Sequence, residues 1–565
     1  MSKPNLSKSN FLSVLVPYWT SGEKWGAWGL MGLLIVFLFI RTALQVVFLI
    51  YGGELTSALA AQDSDRFIQA AIIFAGILAV SVPFASTSSY IRARLGLYWR
   101  TWLTRDYLNK YLSNQTFYQL RLKNEIDNPD QRIEEDVRTL TQESLKLFEI
   151  GLESAFQLIG FAGLLWSISQ PLMFFLLGYS VVGSAIATLC FGKPLIRINA
   201  QQLSREADFR YDLARIRENT EAIALYRGES QELSQSQHQF SRVFNNFTRL
   251  IRWQLSLNLF QNHYRYATFI IPGIILAPRL FAGELEIGDV TQAGSAFTLT
   301  LSALALIVLK LQQLTSLGAA SQRLQKLQST FAPSPDTSTD TSLDTSQPSS
   351  LPTITLQTGP SLKIEHLSLV TPDGQKQLIR DLSLDLPIGE GLLIMGPSGV
   401  GKSSLLRAIT GLWQTGQGNI ICPEHTAFIP QKPYLPYGNL QDLLLYPLEA
   451  STEDIEEKQL RQALEQVNLP HLSTLPLNTP LTHSLSLGEQ QRLAFARLLL
   501  KPPRYAILDE ATSALDLPNE THLCQQLKLN AITPISIGHR PSLKRHHQYL
   551  LALAADGNWQ YSSLL

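Results

Sequence analysis

The sequence predicts a multidomain chain of two unlike parts, an all-α transmembrane domain of six helices followed by an α/β domain built on a phosphate-binding loop. Three observations carry this. Apolar blocks crowd residues 1–310, whereas the remainder has the composition of a water-soluble domain. The stretch Gly391 to Arg407 passes from an apolar run (Leu392–Met395) through a glycine-rich turn (Gly396–Gly401) into helix-forming residues from Lys402. That order of strand, Gly-x-x-x-x-Gly-Lys-Ser and helix is the context a phosphate loop requires. Farther on, Tyr505-Ala-Ile-Leu-Asp-Glu510 is an apolar strand ending in two carboxylates.

The bulk composition excludes more than it assigns. The 565 residues hold 46 basic and 46 acidic side chains, so no net field draws the chain to nucleic acid, and none is expected as a partner. Cys190, Cys422 and Cys524 lie far apart without metal-ligand spacing and read as buried free thiols. No small-residue cleavage site follows the first apolar segment, which is expected to stay in the protein.

Residues 1–26 mix Trp and Tyr with charge and read as an interfacial elbow. Six spans are expected over residues 27–331: Trp28–Ile50, Phe67–Tyr90, Ile150–Ile168, Leu172–Phe191, His263–Leu280 and Val290–Leu309. Most approach the roughly 20 residues a bilayer crossing needs. They are apolar on every face, unlike helices of a soluble bundle. Arg41, Pro83 and Pro272 interrupt them. Connections after spans 1, 3 and 5 are short and acidic or neutral; those after spans 2 and 4 are long, the first rich in Arg and Lys. By the positive-inside bias the long loops and both termini are cytoplasmic. Their helix formers and apolar periodicity predict helices that run on past the bilayer.

Two stretches in these extensions read as helix-turn-helix tips that dock on the soluble domain, residues 124–138 and Glu218–Glu229. In the first, Asn128-Pro129 breaks a helix and Asp130 caps the next; in the second, Gly228 is the stop. Residues 332–360, rich in Ser, Thr, Asp and Pro, read as a flexible linker, with the soluble domain at 361–565.

The chemistry sits in that last domain. Glycines at 396, 399 and 401 let consecutive N–H groups curl around an oxyanion at the positive end of a helix. The candidate nucleotide-binding residues are therefore Gly396, Pro397, Ser398, Gly399, Val400, Gly401, Lys402, Ser403 and Ser404. Lys402 reaches for β/γ-phosphates, and Ser403 with Asp509 for Mg²⁺. Glu510 is placed to polarise the water that attacks the γ-phosphate. Between these motifs, Leu485-Ser-Leu-Gly-Glu-Gln-Gln-Arg492 opens a helix and is either an anion site or a helix cap.

In these motifs the chain resembles, over its whole length, the ATP-binding cassette transporters. Ser486-Leu-Gly-Glu-Gln490 is similar to the family signature Ser-Gly-Gly-Glu-Gln; Gln431 matches the Q-loop, Ser513-Ala-Leu-Asp516 the D-loop, and His539 the switch histidine. The resemblance implies a type I exporter-like fold that binds ATP and Mg²⁺ and hydrolyses ATP to drive transport. It implies a head-to-tail dimer, each ATP held between one phosphate loop and Ser486, Gly488, Glu489, Gln490 and Asp516 of the opposing signature and D-loop. Gln431 would join Glu510 and His539 in catalysis and, with Ser403 and Asp509, contact Mg²⁺. Six spans with one cassette make a half-transporter, whose partner is a second copy or a related half-transporter, in contact with lipid and solute.

Asn128 to Asp136, Glu218 to Glu229 and Thr371-Pro-Asp-Gly374 look like subfamily D, whose members include acyl-CoA transporters and bacterial relatives that take up cobalamin or peptides. The elbow and the signature look like the bacterial branch, implying the bacterial inner membrane with the ATPase domain in the cytoplasm; the C-terminal Ser-Leu-Leu is no peroxisomal address. The sequence departs from the family pattern twice. Leu487 replaces a signature glycine, and Val370–Gln377 lacks the aromatic on which many cassettes stack the adenine. A proton-coupled peptide uptake carrier and an ATP-regulated channel stay open as alternatives. So does the role of Arg41, Glu149, Glu153 and Gln157, which either line a translocation path or bond neighbouring helices. Arg265 and Lys310 are expected to snorkel at the cytoplasmic interface.

Overall fold

Asp63 sets the pattern of the first half: its carboxylate accepts the backbone N–H groups of Asp65 and Arg66, each at 3.1 Å, and so caps a helix of 49 residues. The computed structural model describes residues 9–123, 126, 128–304, 311–331, 353–447, 455–480 and 485–564. Outside them fall residues 332–352 of the expected linker, residues 124, 125 and 127 of the first tip, the last five residues of the sixth expected span and Lys310.

The helices are α1 (Ser9–Thr20), α2 (Lys24–Ala60), α3 (Ser64–Leu112), α4 (Thr116–Lys123), α5 (Pro129–Gln131), α6 (Val137–Ile168), α7 (Gln170–Ile186), α8 (Lys193–Glu218), α9 (Thr220–Tyr226), α10 (Glu229–Phe281), α11 (Ile287–Leu304) and α12 (Leu311–Phe331). One π-helical turn, Arg132–Asp136, leads into α6, and another, Ala187–Gly192, joins α7 to α8. Arg41, Pro83 and Pro272 end no helix; α2, α3 and α10 run straight through them. Among the described residues, four helical stretches, residues 24–60, 64–122, 129–168 and 170–218, are long and apolar enough to cross a membrane.

The short turns gather at one end of this unit. Arg66 pairs with Glu54 at 2.9 Å and Glu286 at 3.3 Å, and Arg279 donates to the Ile168 carbonyl at 2.8 Å. These contacts bring together the turns after the first, third and fifth expected spans. Polar groups in and just beside the spans bond helix to helix: Arg41 (α2) meets Glu153 (α6) at 2.9 Å, and Arg92 (α3) meets Glu149 (α6) at 2.5 Å. Arg265 turns to Asn262 at 2.9 Å and lies over the Tyr266 ring.

Both tips depart from the expected capping. Asn128 takes the cap position of α5 with φ 46°, leaving Asp130 inside the first turn. Proline excludes the helical conformation from the residue before it, so the cap falls at Asn128, two residues earlier than Asp130. At the second tip, α9 ends on Arg227, which is left-handed at φ 51°. Its N–H bonds the Ala224 carbonyl, and the Gly228 N–H bonds the Ile223 carbonyl at 3.0 Å. This is a Schellman closure with arginine in the usual glycine position, and Gly228 instead begins α10.

The second unit, residues 341–565, is an α/β domain. Its strands are β1 (Thr355–Thr358), β2 (Leu362–Val370), β3 (Gln377–Leu386), β4 (Leu392–Met395), β5 (Gly416–Cys422), β6 (Thr426–Ile429), β7 (Tyr505–Asp509), β8 (Thr533–Ile537), β9 (Tyr549–Leu553) and β10 (Trp559–Ser563). Helices α13 (Lys402–Ile409), α14 (Leu440–Leu445), α15 (Glu457–Gln466), α16 (Pro470–Ser473), α17 (Leu487–Leu500) and α18 (Leu517–Leu529) complete it. One sheet has the order β1-β5-β2-β3, and the other β10-β9-β4-β8-β7-β6, with β4, β6, β7, β8 and β9 parallel. The parallel strands are nearly unbroken apolar runs because helices cover both faces. β1 corrects the expected linker: Thr355–Thr358 pairs with β5 as an edge strand whose side chains are all exposed and, Leu356 apart, polar, which hides it in the sequence. The thiols also differ from expectation, since Cys190 is exposed. It lies in the π-helical turn of an apolar segment, where side chains face the surroundings and not a core.

Candidate active site

Strand β4 enters the phosphate loop and α13 leaves it, with β8 and β9 on either side of β4. Gly399 (φ 80°) and Gly401 (φ 104°) hold the turn in left-handed conformations that place successive N–H groups on its inner side. A Cβ at Gly401 would come within 3.0 Å of Leu378. Val400 is buried beneath the loop, while Pro397, Ser398 and Ser404 complete the loop and the first turn of α13. The Lys402 ammonium donates to the Gly396 and Pro397 carbonyls at 2.8 and 2.7 Å. Burial pulls its pKa down while Glu510 and Asp509 oppose that shift, as expected for a cation held among polar groups.

Asp509 ends β7 in register with Ile537 of β8, so its side chain emerges beside α13. The Ser403 hydroxyl donates to it at 3.4 Å. Burial raises the Asp509 pKa, and the Ser403 hydrogen bond counters it. Serine hydroxyl, carboxylate and phosphate are hard oxygen donors, the set that suits Mg²⁺.

Glu510 follows at φ 48°, a left-handed conformation for a residue with a side chain, fixed by its N–H to the Ile537 carbonyl at 3.1 Å. Such strain persists where the surroundings over-determine it. The turn aims the carboxylate between two groups: Gln431 Nε2 donates to Oε2 at 2.8 Å, and His539 Nε2 lies 3.4 Å from Oε1. The three residues named for catalysis thus meet at one carboxylate.

The signature behaves first as a helix cap. Ser486 Oγ accepts the Glu489 N–H at 3.4 Å, and the Glu489 carboxylate takes the Ser486 N–H at 2.8 Å, a capping box that opens α17. Gln490 donates to the Leu485 carbonyl, and Asp516 caps α18 through the Asn519 N–H at 3.1 Å. Among the described residues, no hydrogen bond or ion pair joins Ser486, Glu489, Gln490 or Asp516 to the phosphate loop of the same chain. Leu487 sits in the first turn of α17, a conformation that needs no glycine, and is 43% exposed. At Gly488 the space is tighter, since a Cβ there would approach the Ala514 carbonyl oxygen to 3.1 Å.

Three residues to which the sequence assigned no role bind these parts together. The buried Gln491 amide donates to the Gln431 carbonyl and to Ser513 Oγ, both at 3.2 Å, and accepts the Ala514 N–H at 3.1 Å. Arg540, beside His539, donates to the carbonyls of Leu515 at 2.7 Å and Ser513 at 2.9 Å, and pairs with Glu520. Gln491 falls inside the quoted signature; Arg540 and Glu520 carry no local signal. Residues 371–376 form a tight turn, with the Thr371 N–H on the Lys376 carbonyl at 2.9 Å, and present no aromatic ring.

Two family models match the chain: "ABC transporter transmembrane region 2" over residues 11–281 and "ABC transporter" over residues 379–513. An uncharacterized ABC transporter ATP-binding protein of Synechocystis sp. is 41% identical over 96% of this chain and 82% of its own length. The chloroplastic ABC transporter D family member 2 of Arabidopsis thaliana is 35% identical over 97% of this chain and 87% of its own. A lysosomal cobalamin transporter of Homo sapiens is 28% identical over 97% of this chain and 94% of its own.

Proposed function

This chain belongs to the ABC transporter family, and on that footing we propose how its cassette is used and what it moves. It is an ATP-driven transporter of the membrane, with helical spans and an ATP-binding, ATP-hydrolysing domain in one polypeptide. The proposal begins with the assembly. Two copies, or one copy and a related half-transporter, face head to tail. ATP lies on the phosphate loop 396–404 of one and under Ser486 and Gly488 of the other.

Mg²⁺ would be held by Ser403, Asp509 and Gln431, supplying charge neutralisation at the phosphates. Glu510 takes the proton of the attacking water, Gln431 and His539 hold its carboxylate in place, and Lys402 stabilises charge on the transferred phosphoryl group. The observation that carries this reading is the Glu510 carboxylate seated between Gln431 at 2.8 Å and His539 at 3.4 Å.

In the membrane we read six spans in a type I exporter-like arrangement, α10 and α11 supplying the fifth and sixth. The gathering of the turns after spans 1, 3 and 5 at one end supports an alternating path. The elbow (1–26), membrane domain (27–331) and cassette follow in order, the linker ending at β1. Both termini and the cassette are cytoplasmic, in a bacterial inner membrane. Acidic short turns and basic long loops support that orientation. The solute is amphipathic or bulky, such as a cobalamin, a peptide or a fatty acyl derivative; the cobalamin transporter among the relatives supports the first.

In sealed vesicles with the cassette outside, Glu510→Gln should cut ATP turnover by at least about a hundredfold and abolish ATP-dependent solute movement. ATP-dependent transport that survives the substitution would refute the mechanism, and transport that survives it without ATP would favour a proton-coupled carrier.

A further inference from the structure

Helices α8 and α10 pack side by side between the expected fourth and fifth spans. A pocket of about 330 Å³ opens at their seam, lined by Pro194, Arg197, Ile198, Gln201, Arg249 and Trp253. The first four follow helical spacing down one face of α8, and Arg249 and Trp253 stand one turn apart on α10. The seam is pinned by the buried Asn246, whose amide donates to the Ile198 carbonyl at 3.1 Å and to Gln202 Oε1 at 2.9 Å. Its depth is marked as well. The Trp253 ring meets Phe191, the end of the expected fourth span, edge-on at 6.4 Å and 83°. Arg197 stands six residues, about 9 Å, beyond that end.

The charge here is one-sided. Residues 192–205 and 233–283 contain no Asp or Glu, while Arg197, Arg205, Arg242, Arg249 and Arg252 fall on the paired stretches. Arg205 donates to the Arg242 carbonyl at 2.8 Å. Arg197 and Arg249 are exposed and make no hydrogen bond or ion pair among the described residues, and the Trp253 indole N–H makes no hydrogen bond among them. We propose that this pocket holds the phosphate of an anionic phospholipid, with Arg197 and Arg249 donating to its oxygens and Pro194, Ile198 and Trp253 lying against the glycerol and the first acyl carbons. The inference rests on the reading that α7 and α10 supply the fourth and fifth spans, which brings the pocket to the headgroup layer. Arginine lays its stem on apolar surface and keeps its head at the phosphate, and tryptophan suits the same depth with an apolar ring and a polar N–H. Basic pockets between spans at the cytoplasmic boundary hold anionic headgroups by this combination. A soluble phosphate would leave the apolar floor unused, and a zwitterionic lipid would bring its own cation toward two arginines that have no counter-charge.

The test titrates the full chain in a nonionic detergent with dioctanoyl phosphatidylglycerol, counting bound lipid by native mass spectrometry; dioctanoyl phosphatidylcholine is the zwitterionic control. The wild-type chain should bind the anionic lipid at least about tenfold more tightly. Arg197→Gln and Arg249→Gln should each weaken it by about fivefold, the scale of one arginine at an anionic lipid surface. Arg210→Gln, which removes the same charge from α8 outside the pocket, should change it by less than about twofold. Equal affinity for the two lipids, unchanged binding in both pocket variants, or an equal loss in Arg210→Gln would overturn the site. Displacement of the lipid by an equal concentration of glycerol phosphate would reassign the pocket to a soluble phosphate and overturn the lipid. A membrane-impermeant maleimide added to sealed vesicles with the cassette outside tests the span reading separately. The exposed Asn245→Cys should label and the exposed Ala282→Cys should not. That labelling pattern without a preference for the anionic lipid removes only the pocket, whereas equal labelling of both positions removes the span reading beneath it.

Discussion

The Arg540 guanidinium meets the Glu520 carboxylate at 3.2 Å, and that carboxylate is fully buried. Ser542 donates to its other oxygen at 2.5 Å and Thr512 to the shared one at 3.3 Å, so Glu520 ties the segment after His539 to the segment after Glu510. Arg540 extends the tie through the Ser513 and Leu515 carbonyls. The histidine and carboxylate of the hydrolytic site are therefore spaced by a clamp that touches neither.

Breaking the clamp from one side should loosen both segments. Arg540→Met leaves a buried charge without its cation, a loss of about 3 kcal/mol. Hydrogen exchange at the amides of residues 511–516 should then accelerate by about a hundredfold. Adding Glu520→Leu should recover part of that protection. Unchanged exchange in Arg540→Met would show that the carbonyl contacts are not anchoring.

Gln491 offers a second test, of geometry without charge. Gln491→Leu keeps the volume but strands the Gln431 carbonyl and the Ala514 N–H, each a loss of about 1–3 kcal/mol if left unanswered. Gln431 should then hold Glu510 less well. The turnover number should fall about tenfold, with KM for ATP changing less than about threefold, because the amide reaches the site only through the Gln431 backbone and bonds no residue of the phosphate loop. Steady-state hydrolysis kinetics decide it; a rise in KM alone would contradict the positioning role.

What the sequence showed plainly was local. The phosphate loop and the strand ending in Asp509 are written at fixed short spacings, and each stands where the spacing put it, whereas the Ser486 stretch, open in the sequence between anion site and helix cap, forms a capping box with Glu489. The Gln431–Glu510 and Arg540–Glu520 contacts join residues 79 and 20 positions apart, and no periodicity links such pairs. Arg227 escaped notice because Gly228 beside it is the cheaper left-handed residue; closure of the α9 turn decided the matter. In the membrane half the apolar runs were legible, but the pairing of Arg41 with Glu153 required knowing which helix faces which.

Base selectivity follows from what the turn at 371–376 does not offer. Stacking on an aromatic side chain contributes about 1–3 kcal/mol per base, and this turn presents only Thr, Pro, Asp, Gly, Gln and Lys. GTP should therefore support turnover within about tenfold of ATP in a hydrolysis assay run at saturating Mg²⁺. A preference for ATP beyond about a hundredfold would mean that another part of the chain, or of its partner, reads the adenine.

Acid should weaken the cassette through one histidine. His547 is buried between α18's neighbouring strand β8 and the segment 541–546. Its Nδ1–H donates to the Leu543 carbonyl at 2.8 Å, and Nε2 takes the Ser536 hydroxyl at 2.8 Å. Both bonds are made by the neutral ring, and burial pushes its pKa from 6.5 down to about 4. In the unfolded chain the ring takes up a proton near pH 6.5, so between that pH and about 4 the unfolded state binds more protons than the folded one. Stability is thus complete above pH 6.5 and falls as the pH drops toward 4, by about 2 kcal/mol at pH 5 relative to pH 7. Urea titrations followed through Trp413 and Trp559 emission should show that loss, and His547→Gln should flatten the profile over the same window. An unaltered slope in the variant would place the acid sensitivity elsewhere in the cassette.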